Sequence, residues 1–274
     1  MVPVTTAADV VAALQSALPA APRPVTVDQF LDGDPATPVT GVAVTTTATF
    51  DVLLAAVEAG ANLVITHEPL YYDHHDAARD DLEAEEDPVY SRKRALVQDH
   101  SLVVWHLHDQ QHDTRPDGVD AATTAELGWT LDPADAAQGI STATIDPTTL
   151  GALALHVART LGAQALRYIG DPSAVVTRVG LDLGFRGFGR NRALLRRADV
   201  DVAICGELHE WESGGYAVDA VATGVATGLI AVGHVPSEQA GMRAVAAWLP
   251  GVLAAAGHAV PVVHVPTPDT FRAL

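Results

Sequence analysis

Three short runs, Val42–Thr45, Asn62–Thr66 and Leu102–Leu107, are apolar at nearly every position and too short for helices. A strand with one wet face alternates polar and apolar residues. A strand apolar on both sides needs cover on both faces, which is the habit of parallel sheets. Between the first two runs lies Ala48–Ala59, where Val52, Leu53, Ala56 and Val57 make one helical stripe that Gly60 ends. Strand, helix and strand in this order form a βαβ unit, with parallel pairing and a right-handed crossover. The chain is thereby directed to an α/β fold.

The same rhythm continues on both sides. Thr6–Leu18 reads as a helix through Val10, Val11, Leu14 and Leu18, and the prolines of 19–24 break it. Val25–Leu31 is a helical turn or a strand. Residues 71–90 are polar and strongly acidic, an expected loop or lid, with a short helix at Arg92–Gln98. A second αβ series begins near Gly128. It reads as helix Thr149–Leu161, strands Leu166–Ile169 and Val175–Leu183, helix Asn191–Arg197, strand Val202–Cys205 and helix Gly214–Val221. Strand Leu229–Val232, a helix from His234 to about Trp248 and strand Val260–Val265 complete it. A length of 274 residues suits two α/β domains.

Composition removes several classes of function. Thirty-four acidic residues against 16 basic ones leave a net charge of -18, the opposite of a phosphate-tracking surface. Cys205 is the sole cysteine, so neither a disulfide within the chain nor a Cys-rich zinc cluster is expected. The start lacks a secretory signal, and no apolar stretch reaches membrane-spanning length. A cytoplasmic protein without nucleic-acid or membrane partners is the expectation. A dinucleotide G-x-G-x-x-G and a G-x-S-x-G elbow are both missing from the sequence, which argues against nicotinamide and Ser-nucleophile chemistry.

The 12 histidines are unevenly placed. Three apolar strands end in histidine with an acid or second histidine close by: Thr66-His67-Glu68, Trp105-His106-Leu107-His108-Asp109 with His112, and Gly233-His234 with Glu238. Strand alternation would put His106 and His108 on one face, and a helical turn starting at His108 would bring His112 onto its side. His234 and Glu238 have the same separation, with Pro236 and Ser237 placed to open a helix. Carboxyl ends of parallel strands are where ligands collect. Imidazole with carboxylate suits zinc, iron or manganese. Glu207 or His209, in the turn after strand Val202–Cys205, can carry a proton or orient a ligand histidine. Gly184–Arg190 is a glycine-rich turn able to cradle an anion, although it lacks the P-loop Lys-Ser/Thr. His156, His258 and His264 read as core or turn histidines. His74 and His75 read as solvated within the acidic segment, with closure over a site as the alternative.

These residues resemble the family of dinuclear-metal-centre hexameric proteins, GTP cyclohydrolase I type 2-like and NGG-interacting-factor-like. The likeness is carried by AGANLVITHEPL (59–70), DVAICGELHE (201–210), AVGHVPSE (231–238) and the ending VVHVPTPDTF. The family's second adjacent histidine is Glu68 here. Its His-x-x-x-Asp element falls on His108 and His112, with His106 and Asp109 as register alternatives. An aspartate usual after the first strand is replaced by Val-Thr-Thr-Thr, and the Asp-Asn-x-Gly-Leu stretch before it is not recognisable. The resemblance implies two α/β domains with mixed or parallel sheets flanked by helices. Residues 1–126 with 232–274 would form a discontinuous domain carrying most ligands, residues 127–231 an inserted one, and the metal site would face the cleft between them. It also implies a homohexamer and two divalent ions per chain. The expected metal ligands are His67, Glu68, His108, His112, His234 and Glu238, with Glu207 and His209 as the catalytic candidates.

Two functions from different classes fit that inventory. One is a divalent-metal-dependent hydrolase or cyclohydrolase-like enzyme, acting on a phosphoester or nucleotide-like small molecule through metal-activated water. An anionic substrate would then need Arg186 or Arg190 to offset the negative chain. The other is a non-catalytic metal carrier or regulatory scaffold using the same ligands.

Overall fold

The apolar runs pair as their patterning requires. In the computed structural model, which describes residues 4–273, the chain divides into two units. Met1–Thr114 with Met242–Thr267 make the first, and Arg115–Gly241 with Pro268–Leu274 the second.

The first unit is built on β1 (Phe30–Asp32), β2 (Val42–Thr45), β3 (Leu63–Thr66), β4 (Val103–His106) and, from the C-terminal segment, β10 (Val262–His264). Their order is β1-β4-β3-β2-β10. All pairs are parallel except β1 on β4, and Thr66 lies opposite His106. Period-two alternation sends Val42, Val44, Leu63, Ile65, Val103 and Trp105 to one face, against helix Ala7–Ala17 and the helix residues Met242, Val245, Leu249 and Leu253. Ala43, Val64 and Val104 face the other way, onto Val52, Leu53, Ala56, Tyr90 and Val97. The helices start where side-chain oxygens take up orphan amides: Thr6 forms a capping box with Asp9, and Thr49 accepts from Val52. The acidic stretch expected as a loop instead holds helix Ala78–Ala84, and helix Pro88–Asp99 begins inside it, capped by Asp87.

The second unit holds β5 (Ser141–Thr149), β6 (Arg167–Ile169), β7 (Val175–Asp182), β8 (Val202–Cys205) and β9 (Gly228–Ala231), in the order β5-β7-β8-β9-β6. The three inner strands run parallel, and both edge strands are antiparallel to their neighbours. Val179, Leu181, Val202, Ile204 and Ile230 pack on Leu150, Leu153 and Val157 of helix Leu150–Leu161. Ala203, Cys205 and Leu229 pack on Leu194 and Ala217 from the other face. The helix His234–Ala255 begins in this unit and continues past Gly241 into the first. Among the described residues no helix is long and apolar enough to cross a membrane.

Candidate metal centre

The first unit gathers its histidines at the carboxyl ends of β3 and β4. His67 follows β3 directly and is fully buried, with Nδ1 2.9 Å from the Leu107 carbonyl oxygen. A carbonyl only accepts, so Nδ1 carries the proton and Nε2 is left with a bare lone pair. That nitrogen lies 3.2 Å from His112 Nε2. The chain turns after Leu107: His108 leaves the strand conformation and precedes the single helical turn Asp109–His112. His108 stacks on His67 at 4.8 Å between centroids and meets His112 at 4.6 Å. One ligand atom from each of His67, His108 and His112 falls within 4.8 Å of the others. Three convergent imidazoles can hold a divalent transition ion, and the carbonyl that fixes His67 is a common support for such a ligand.

The turn owes its shape to Asp28. Its carboxylate accepts from the amides of His108, Asp109 and Gln110, at 2.6, 2.8 and 2.8 Å. Those are orphan donors of a helix start. Burial raises the Asp28 pKa, while the three amides oppose the shift.

The register alternatives sit differently. His106 ends β4, its Nε2 2.8 Å from the carbonyl oxygen of His67, and its buried Nδ1 has no hydrogen-bond partner. Burial pushes its pKa down to about 4, so the ring is neutral. Asp109 accepts from Thr26 Oγ1 and Val27 N and pairs with Arg23 at 3.0 Å, so it is tied to the residues before β1. His74 is exposed, as expected, and its ring also meets His108 edge-on at 4.5 Å. Glu68 follows His67, with its amide donating to the Thr46 carbonyl.

In the second unit, His234 opens the long helix between two carboxylates. Nδ1 is 3.2 Å from Glu207 and Nε2 is 3.1 Å from Glu238, four residues on. The hydrogen bond from His234, the leading cause, lowers the Glu207 pKa. Glu238 is buried, and the surrounding turns are pressed against it. A Cβ on Gly184 would lie 2.1 Å from Glu238 Oε1, and one on Gly206 would lie 2.5 Å from Ser237 Oγ. Ser237 ties these turns together, its Oγ accepting from the Gly184 amide and donating to the His234 carbonyl. A cavity of about 540 Å³ borders His234 and Glu207, with Arg167, Asp269 and Phe271 on its wall. His209 is half exposed and stacked on Trp211. Arg186 and Arg190, expected to offset the charge of an anion, are each already paired with an aspartate. Arg186 pairs with Asp117 at 2.9 Å and Arg190 with Asp182 at 2.9 Å.

Parallel strands that end in buried imidazole and carboxylate groups define an α/β protein able to hold a metal ion. The family is more specific: a family model described as Duf34/NIF3 (NGG1p interacting factor 3) matches residues 9–269, and the chain belongs to that family. No curated protein matches the sequence. Among solved structures, the chain is similar to Staphylococcus aureus protein SA1388, with 19% identity, a TM-score of 0.76 and coverage of 98% of this chain and 99% of that one. A Bacillus cereus protein related to NIF3 shares 14% identity with a TM-score of 0.75, covering 99% and 100%. Reduced HcgD from Methanocaldococcus jannaschii shares 12% with a TM-score of 0.68, covering 97% and 99%. At such identities the likeness is one of fold.

Proposed function

We propose that the chain is a divalent-metal-dependent hydrolase that acts on a phosphoester or nucleotide-like small molecule. The observation that carries this reading is the convergence of His67, His108 and His112, without thiolates and with the His67 tautomer fixed by a carbonyl. That donor set fits zinc, iron or manganese. The proposed metal ligands are His67, Glu68, His108, His112, His234 and Glu238. Two ions per chain is the expected complement, and a homohexamer the expected assembly. Such ions, when bound, lower the pKa of water and polarise a phosphoryl or carbonyl oxygen. Glu207 holds the His234 ring by its Nδ1–H and so orients Nε2, and it is the candidate to accept a proton. His209, half exposed and stacked on Trp211, is the second candidate for moving a proton.

The test is hydrolysis of a panel of phosphomonoesters, phosphodiesters and nucleotides by protein loaded with zinc, iron(II) or manganese, with His67→Ala as the blank. Turnover by the loaded wild type alone supports the reading. Stoichiometric metal without turnover favours a carrier or scaffold. Pairing of Arg186 and Arg190 with aspartates gives that second reading its support, because it offsets part of the positive charge an anionic substrate would use.

A further inference from the structure

The acidic segment brings a further histidine to this end of the sheet. One ring nitrogen each from His74 and His108 and a carboxylate oxygen of Asp109 lie within 4.8 Å of one another. His74 is exposed, His108 is partly buried, and His67 and His112 are buried, so imidazoles run in steps from solvent to the inner set. His108 belongs to both groups, and the His74 ring contacts it at 4.5 Å.

His74 is held there by its surroundings. Tyr72 and Asp76, on either side, take positive φ angles of 69 and 58°. For an aromatic residue that conformation is costly and persists only where neighbours enforce it. Here Lys93 Nζ sits over the Tyr72 ring and donates to the Leu70 carbonyl. Tyr71 donates to Asp32, Arg79 donates to the Leu31 carbonyl, and Asp73 accepts from the His75 and Ala77 amides.

The geometry points to an outer cation site, formed by His74, His108 and Asp109, at which a divalent transition ion is first captured and then passed to the inner histidines through His108. Two imidazoles and one carboxylate suit zinc, cobalt(II) or iron(II) better than calcium or magnesium. Arg23, 3.0 Å from Asp109, weakens the site against the inner one, as a transit position requires. The inference uses the metal reading for His108 but is separable from it by mutation.

The experiment is a cobalt(II) titration of the chelator-stripped full chain, followed by absorbance, together with stopped-flow uptake. Variants are His67→Ala, His74→Ala, the double variant and His75→Ala as a neighbour control. His67→Ala is expected to keep one weakly held ion, and adding His74→Ala to weaken it by about 10-fold or more. His74→Ala alone is expected to slow uptake while leaving the inner stoichiometry intact, and His75→Ala to match the wild type. A double variant that titrates like His67→Ala, or a His67→Ala that binds no cobalt, overturns the outer site. Loss of all binding in His74→Ala, with His67→Ala unaffected, would keep the outer site and remove the inner one.

Discussion

At the residue scale, the site is a matter of which nitrogen carries a proton. His67 and His106 each donate one N–H to a main-chain carbonyl, which fixes the tautomer of the neutral ring without a nearby acid; the other nitrogen of His67 faces His112 Nε2. His106 shows the cost. Its pKa is pushed from 6.5 to about 4 by burial, so the unfolded chain binds the extra proton first as pH falls. Stability from this group is complete above about pH 6.5 and is lost as pH falls towards 4, by about 3 kcal/mol at most. In metal-free protein, His106→Gln is expected to flatten that acid limb in denaturant unfolding measured against pH. Parallel pH profiles for the two proteins would contradict it. The strand-end histidines were legible because each follows an apolar run. For His74 closure over a site was an alternative reading only, since nothing in YYDHHD specifies its contact with His108. Asp28 was equally hidden: it is 80 residues from His108 in sequence, and such a cap leaves no local pattern.

At the element scale, apolar periodicity carried most of the fold. Val42–Thr45 and Val202–Cys205 are strands with the expected bounds, and helices Ala7–Ala17 and Leu150–Leu161 begin at the threonines that cap them. The misses have physical causes. β5 is threonine-rich, is interrupted by Pro147 and lies at a sheet edge, buried only over its first three residues, so it reads as neither a buried run nor a clean alternation. Helix Gly118–Glu126 starts from an Asp117 cap within Pro-Asp-Gly, which by itself signals a turn. The turn after β7 sets Glu238 in place through what it lacks. Gly184 has φ of 64°, and an added Cβ would meet the Glu238 carboxylate. Gly184→Ala is therefore expected to cost about 1–3 kcal/mol and to displace Glu238 from His234. Thermal unfolding and the crystal structure of the variant check this; an unchanged Tm with the His234–Glu238 pair intact would refute it.

At the scale of the whole molecule, a chain of net charge -18 gains from bound cations twice, by direct ligation and by relief of self-repulsion. Metal that binds only the folded chain stabilises it by about 2.7 kcal/mol when free ion stands at 100 times its Kd. Chelator treatment is accordingly expected to lower the Tm, with zinc or manganese restoring it; an unmoved Tm would show that folding and binding are uncoupled. Family membership and fold were both legible in the order of four short segments, whereas turnover depends on a substrate that no segment encodes. The central claim is metal binding by the strand-end residues, and elemental analysis of gently purified protein tests it most directly, with His67→Ala and Glu238→Ala alongside. About two transition-metal ions per chain, lost or reduced in both variants while their folds persist, is the expected result. A wild type without stoichiometric metal even after reloading would contradict it.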